Sequence, residues 1–333
     1  MSLHPSVAAV RRPVRATLEQ LEPGDRVIVA CSGGADSLAL AAAAVFEGHK
    51  LGLHVIGATV DHGMQAGSET QAAKVIGQLA ELGVDETVTA TIEVKVEGNG
   101  PEAAARRARY AVLDQLAGRF EARVILLGHT RDDQAETVLL GLTRGSGARS
   151  LSGMRAGFDR YRRPLLSATR TDTETACQVE GLDVWQDPHN RDFAYTRARI
   201  RHRVLPTLEE DLGPGVTEAL ARTAEQLRED ADFIDDIAEA AHRDLGETLP
   251  VETLAQYPPA IRTRVLRLAA LRAGSPATEL TREHVRAIDE LITGWRGQRW
   301  IDLPGHVLAK RTNGLVVFER KNIGESGAFT GSL

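Results

Sequence analysis

A chain of 333 residues, 42% hydrophobic and 26% charged, has the make-up of a globular protein and the length for two or three domains with sizeable cores. The net charge of −6 argues against a wholly basic nucleic-acid binder. No run of about 18 apolar residues offers a membrane span, and the Pro, Arg and His of the N-terminus leave no apolar signal core, so no membrane association and a cytoplasmic location are expected. Cys31 and Cys177 form no CxxC pair and no metal cluster, and a structural disulfide is not expected in that compartment.

Residues 5–21 pattern as an amphipathic helix closed by Glu22-Pro23-Gly24-Asp25. Val27-Ile28-Val29-Ala30 is a strand that runs into Cys31-Ser32-Gly33-Gly34-Ala35-Asp36-Ser37, and a helix follows over 37–47. Strands are expected at 51–60, 88–94 and 123–127, and helices at 68–82, 101–120 and 132–143. Alternating strands and helices predict a doubly wound, mostly parallel α/β sheet, whose ligands bind beyond the carboxyl ends of the strands. Ser32 to Ser37, Asp61-His62 and Gly128 to Glu136 all fall at such ends, which argues for one shared site.

Beyond residue 142 the pattern weakens. Residues 144–157, rich in Gly, Ser and Arg, read as a flexible basic loop. Between Arg144 and Arg163 there are six arginines and one acid, Asp159; between Arg197 and Arg203 there are four arginines, His202 and no acid. These local basic patches suit phosphate contacts despite the acidic total. Leu212-Gly213-Pro214-Gly215 marks the expected boundary between a catalytic domain, 1–210, and a mainly helical domain, 211–323. That second domain patterns as helices over 217–245, 259–272 and 281–292, then short strands over 299–303, 306–311 and 315–319 that form a small β-meander. Residues 324–333 read as a flexible tail.

The glycine loop carries the chemistry. Glycines let a phosphate approach the main chain, and the amides at a helix start point at it, aided by the helix dipole. Ser32 and Ser37 add hydroxyls. Asp36 is either a helix cap or, beside a polyphosphate, a ligand for Mg²⁺. No Gly-Lys-Ser/Thr follows, so the loop is not a Walker A motif. Asp133 and Glu136 lie three apart on one helix face, aimed at the same crevice. Acids there complement the helix dipole, and these two could also bind an amine or a metal.

Ser32-Gly33-Gly34-Ala35-Asp36-Ser37 matches the SGGxDS signature of the PP-loop ATP pyrophosphatases. Several further motifs recur in the same order in one family of that group. They are Val60-Asp61-His62-Gly63, Ala105-Arg106 with Arg109-Tyr110, Gly128-His129 with Asp132 to Thr137, and Arg144-Gly145-Ser146-Gly147. Ser152-Gly153-Met154, Arg163 to Leu166, Asp187 to Asn190 and Tyr195-Thr196-Arg197 with Ile200-Arg201-His202 continue the series. On these residues the sequence resembles the tRNA(Ile)-lysidine synthase family, densely over 26–206 and diffusely after 215. Met64-Gln65, Thr130 and Ala198 depart from the family pattern, and the further C-terminal domain of some members is not expected in 333 residues.

The resemblance implies an ATP- and Mg²⁺-dependent, AMP-forming ligase that joins free L-lysine to C2 of the wobble cytidine in an isoleucine tRNA with anticodon CAU. It implies that Ser32, Gly33, Gly34, Ala35, Asp36 and Ser37 hold pyrophosphate, with Arg106, Arg109, Gly128 and His129 near ATP. Asp36 and Asp133 would take the metal. Asp133, Glu136 and Arg201 would take lysine, with Asp36, Asp133 and Glu136 as the catalytic set. Arg144, Arg149, Arg197 and Arg201 would contact tRNA. A homodimer is one option for the assembly. Three other readings compete. A tRNA thiolation enzyme needs reactive cysteines, a small-molecule amidating ligase needs no basic patches, and a non-catalytic RNA or nucleotide module needs no carboxylates.

Overall fold

The computed structural model describes residues 3–61, 67–92, 101–143 and 147–321. His62, Arg144, the end of the expected third strand at 93–94 and the tail 324–333 lie outside the described residues. The chain divides into two compact units, Met1–Glu225 and Gln226–Leu333.

The first unit opens with α1 (Pro5–Leu18), β1 (Arg26–Ala30), α2 (Ala35–Lys50), β2 (His54–Asp61), α3 (Ser68–Leu82) and β3 (Glu86–Thr91). It continues with α4 (Pro101–Arg119), β4 (Val124–Leu127), α5 (Arg131–Thr143), α6 (Ala148–Leu151), and a hairpin of β5 (Gly157–Phe158) and β6 (Tyr161–Arg162). Then come α7 (Arg170–Val179), α8 (Thr196–Arg199) and α9 (Leu205–Leu212). The helix α10 (Val216–Leu245) contains the division between the units, beyond the glycine-proline break at 213–215.

The sheet order is β3-β2-β1-β4-β6-β5, with every pair parallel except β5–β6. In register, Val27 pairs with Val55 on one side and Val124 on the other. Because side chains alternate along a strand, neighbouring positions feed different cores. Val27, Val29, Val55, Val124 and Leu126 pack with α1, α2, α3 and α7. Ile28, Ile56, Ile125 and Leu127 pack with Leu113, Leu116 and Ala117 of α4. Helices therefore cover both faces, as a parallel sheet buried on both sides requires. The chain leaves β1 toward β2 and β3, then returns to β4 on the other flank of β1. The carboxyl ends of β1 and β4 thus flank a switch point.

Of the stretch 144–157, expected as one flexible loop, residues 147–157 are described and are not one loop. Ala148–Leu151 form α6, and the side chain of buried Gln134 clamps the main chain just beyond it: Gln134 Nε2 donates to Met154 O at 2.9 Å and Oε1 accepts from Met154 N at 2.6 Å. Gly153, at φ +60, is needed there, since a Cβ would lie 2.5 Å from Gln134 Oε1. The weak pattern after residue 142 hides several short elements because each is specified by caps and tertiary contacts rather than by periodicity.

The second unit holds the remainder of α10, β7 (Leu249–Pro250), α11 (Val251–Gln256), α12 (Pro259–Arg272), α13 (Arg282–Thr293), β8 (Ile301–Leu303), β9 (Val307–Thr312) and β10 (Leu315–Arg320). Its sheet, β7-β10-β9-β8, is antiparallel, so the expected meander is present and gains β7 as a fourth strand. Leu254, Leu266, Ile288, Leu291, Ala309 and Val316 form its core.

Candidate active site

The loop between β1 and α2 is held by its own serine. Ser37 Oγ accepts from Ser32 N at 3.1 Å and donates to Gly34 O at 2.9 Å, which curls residues 32–36 around the start of α2. Ser37 N and Leu38 N donate to Gly34 O at 3.1 and 3.0 Å, which leaves the amides of Ala35 and Asp36, ahead of the first helical bond, at the crevice end of the sheet. Gly33 sits at φ +84, where a Cβ would meet Val75 Cγ2 at 2.7 Å; its carbonyl accepts from Trp185 N at 2.9 Å. Gly128, at the end of β4, is required by packing: a Cβ would lie 2.9 Å from Asp36 O and 3.1 Å from Ser37 Cα.

Asp133 begins as a cap. Its Oδ2 accepts from Thr130 N at 2.8 Å and Thr130 Oγ1 at 3.2 Å, the reach-back of an N3 acid to the residue preceding a helix. That contact turns Oδ1 into the crevice, where Arg170 Nη2 lies at 3.1 Å and Arg201 Nη2 at 3.2 Å. Glu136, one helical turn on, is fully buried. Arg201 grips it with two hydrogen bonds, Nε to Oε1 at 2.6 Å and Nη2 to Oε2 at 3.1 Å. Arg170 Nη1 adds a contact at 3.5 Å and Arg197 Nε another at 3.7 Å.

Arg170 joins the two halves of the site. Besides Asp133 and Glu136, its Nε lies 3.8 Å from Asp36 Oδ2, and Thr173 Oγ1 donates to Asp36 Oδ1. Arg170 and Thr173 both sit in the first turn of α7, which starts at a capping box between Thr169 and Asp172. Asp132, beside Asp133, accepts from Arg170 N at 2.8 Å and fixes that turn against α5. Arg170 and Thr173 are the site residues that sequence reasoning missed. The Thr-x-x-Asp spacing could have located the helix start, but nothing in it points at Asp36.

Arg201 depends on a local irregularity. Residues 196–212 run as one helix whose middle, Ile200–Val204, is a π-turn. Pro206 has no N–H to return to His202 O, so the regular α ladder is broken there.

A cavity of about 750 Å³ opens beyond the strand ends, lined by Ser32, Ser37, Asp61, Arg109, His129, Trp185, Arg197 and Arg201 among others. Arg106 lies outside that lining; it donates to Tyr110 Oη at 3.1 Å. Arg149 is exposed on α6, also away from the cavity. His129 Nδ1 is buried with no partner among the described residues. Burial, reinforced by Arg163, Arg106 and Arg109 against Asp133, lowers its pKa to about 3, so the ring is neutral.

Burial pushes the Asp36 carboxyl up to about 6, opposed by Arg170, Thr173 and Arg201 and assisted by Asp133. Burial also acts to raise Asp133, but Arg170, His129, Thr130 N and Arg201 outweigh it and hold that carboxyl below its usual range. In the unliganded protein, carboxyl ¹³C shifts of Asp36 should therefore titrate near pH 6. Thr173→Val should raise that midpoint, because it removes a hydrogen bond to the carboxylate, and Asp133→Asn should lower it by removing a like charge. A midpoint near that of an ordinary aspartate, about 4, that neither change moves would contradict the arrangement.

The donors suit Mg²⁺ in one respect: such ions are held by one or two carboxylates completed by substrate phosphates and water. Among the described residues Asp36 Oδ2 has only the distant Arg170 Nε, whereas both oxygens of Asp133 are hydrogen-bonded by protein donors. No group of three His, Cys, Asp or Glu side chains able to hold a metal occurs among the described residues. Asp36 is thus the residue that fits the ion best.

A nucleotide-sized cavity at the switch point, walled by Ser32, Ser37, Gly128 and His129, with Asp36, Asp133, Glu136 and Arg170 clustered outside its lining and joined to it through Arg197 and Arg201, is the arrangement of a PP-loop protein. Residues 8–208 match the family model for the PP-loop domain, and residues 249–316 match that of the TilS substrate binding domain. The chain belongs to the tRNA(Ile)-lysidine synthase family. It is 50% identical to the tRNA(Ile)-lysidine synthase of Streptomyces coelicolor, with 96% of this chain and 100% of that one covered. It is 52% identical to that of Thermobifida fusca, over 94% and 97%. Among solved structures, a U34-tRNA thiolase from Methanococcus maripaludis with its 4Fe–4S cluster superposes with a TM-score of 0.57 at 19% identity, covering 67% of this chain and 80% of that one. That likeness is one of fold.

Proposed function

We propose that this chain is an ATP-dependent ligase that joins free L-lysine to C2 of the wobble cytidine of a CAU-anticodon isoleucine tRNA, releasing pyrophosphate and AMP. The observation that carries the site assignment is the convergence of Asp36, Asp133 and Glu136 on Arg170 beside the glycine loop. One carboxylate faces the phosphate end of the crevice, and two lie on the neighbouring helix, so metal-side and amine-side chemistry are adjacent.

In the first step the C2 carbonyl oxygen of cytidine attacks the α-phosphorus of ATP and pyrophosphate leaves. The loop amides and the α2 dipole hold the pyrophosphate, and Arg109 and Arg197 supply positive charge along the cavity wall. A magnesium ion held by Asp36 would neutralise phosphate charge. Neutral His129, at the end of β4, offers a ring hydrogen bond without adding charge. In the second step the lysine ε-amine attacks C2 and AMP leaves. Asp133 and Glu136 receive the ε-ammonium in exchange for part of their guanidinium contacts, and a carboxylate at hydrogen-bond distance accepts its proton. Because Arg201 is bonded to both acids, lysine entry and Arg201 movement are linked.

Thiolation fits the site less well. Cys31 and Cys177 are buried, and burial raises both thiols, Cys177 to about 12, so neither is a ready thiolate.

The decisive experiment combines the protein with ATP, Mg²⁺, labelled lysine and unmodified tRNA(Ile) bearing CAU, with methionine tRNA as control. Label should enter the isoleucine tRNA alone, with AMP formed. AMP formation without lysine incorporation would reject the lysidine reading. Asp133→Ala and Glu136→Ala should each raise the KM for lysine at least about tenfold, the loss of one charge-assisted hydrogen bond, and the KM for ATP far less. Equal losses for both substrates would refute that division of labour.

A further inference from the structure

Outside the catalytic cavity, the segment joining α13 to β8 presents two indoles and two guanidiniums to solvent. Trp295 and Trp300 are each 48% exposed, and Arg296 and Arg299 are exposed beside them. Large aromatics left in water in this number mark an interaction surface, because their burial elsewhere would be favourable.

The segment is a built loop. Arg296 N donates to Gln298 Oε1 at 2.7 Å, and Gly297 takes φ +89, a left-handed turn suited to glycine. Arg311, on β9, lies 4.8 Å from the Trp295 ring centroid and donates to Leu291 O at 3.1 Å, so one indole is held by a cation–π contact. Trp300 Nε1 donates to Asp302 Oδ2 at 3.3 Å, at the start of the edge strand β8. Both rings are therefore oriented before any partner arrives, which lowers the entropy cost of binding.

The charges identify the partner. Among the described residues neither Arg296 nor Arg299 has a salt bridge, while two acids of the flanking elements are paired elsewhere: Asp302 with Lys321 at 2.5 Å and Asp289 with Arg262 at 2.6 Å. Uncompensated arginines interleaved with exposed indoles match the two features of an unpaired nucleotide, its phosphates and the face of its base.

We propose that this loop is an RNA-contacting surface: Trp295 and Trp300 stack on an unstacked base of the substrate tRNA, and Arg296 and Arg299 neutralise flanking phosphates. The inference rests on the functional reading above. The match of residues 249–316 to a substrate binding domain places the loop in the corresponding part of the chain.

The test follows tryptophan emission as unmodified tRNA(Ile) is added to the full-length protein without ATP. Quenching should be saturable in the parent protein and mostly lost in Trp295→Ala/Trp300→Ala, whose tRNA Kd should rise at least about tenfold, the lower range for losing a stacked base. The KM for ATP should stay within about twofold, on the order of experimental scatter. Arg296→Ala/Arg299→Ala should make the slope of log Kd against log salt shallower by about 1.5. An unchanged tRNA Kd in the tryptophan pair, or an unchanged salt slope in the arginine pair, overturns the proposal. So does a fall in oligomer size of the tryptophan pair at unchanged tRNA affinity, which would make the loop a protein–protein contact. The functional reading fails separately, if the parent protein binds tRNA(Ile) yet incorporates no lysine.

Discussion

Arg170→Ala should lower pyrophosphate release at saturating substrates by at least about 100-fold, on the scale of removing one preorganised charge from a buried reaction site. It should also destabilise the first unit by about 3 kcal/mol, as expected when one partner of a buried ion network is deleted. Arg170 is the cation shared by Asp36, Asp133 and Glu136, and without it three carboxylates face a crevice that retains Arg201 and Arg197 as counter-charges. The affected carboxylates should respond in a definite direction. Arg170 holds the Asp36 carboxyl down, so its removal should push that midpoint upward from about 6 and shift the acid limb of the pH–rate profile the same way. Arg170→Lys should recover little, because an ammonium is a point donor and cannot span three acids as a planar guanidinium does. Stopped-flow pyrophosphate release, urea unfolding and a pH–rate series together decide the matter. Parent-like turnover in Arg170→Ala would mean that Arg201 and Arg197 suffice as counter-charges for the acids.

The second large effect is expected at Gly33. Gly33→Ala places a Cβ at a backbone φ of +84, a cost of about 1–2 kcal/mol for an L side chain, and sets it 2.7 Å from Val75 Cγ2. Val75 is packed in the core between α3 and the sheet and cannot retreat, so the loop must lift. A shift of about 1 Å in a binding element costs on the order of 100-fold, and ATP affinity by calorimetry should fall by that factor. Gly77→Ala, in the interior of α3 with open space around its Cβ, is the control, and should stabilise the protein by about 1 kcal/mol. Parent-like ATP binding in Gly33→Ala would show that the loop tolerates the displacement.

Local rules made several parts of this site legible. The glycine loop stands where a β-branched run meets an alanine-rich helix, and both periods are visible over short windows of sequence. Asp133 and Glu136 declare a common face by their spacing, and the cap formed by Asp133 shows why an ordinary helix-start acid is also aimed at the crevice. Their partners were less visible. Ser37 reads as a phosphate-side hydroxyl; it lines the cavity, and the loop contact it makes with Gly34 O could be found only in the structure. Arg106, grouped with Arg109 by the resemblance, donates to Tyr110 Oη and is not in the cavity lining, whereas Arg109 is. The clamp of Gln134 on Met154 was invisible in the stretch read as a loop, because a side chain that holds a distant main chain leaves no periodic trace.

The sequence by itself determined the alternation of strands and helices, the glycine turn at the first strand end and the placement of three carboxylates at strand ends. These features arise from main-chain geometry acting over a few residues, where side-chain type and spacing carry the information. Only the tertiary structure decided which charges meet. Thr173 reaches Asp36 across 137 positions, and Arg201 reaches Glu136 across 65. The first turn of α7, Arg170-Thr171-Asp172-Thr173, falls in the stretch where the sequence pattern is weak, and packing of Ala176 and Cys177 into the core lays it over the crevice. Such encounters depend on how buried faces stack, and the pairing of distant polar groups is a consequence of that stacking rather than of any local pattern.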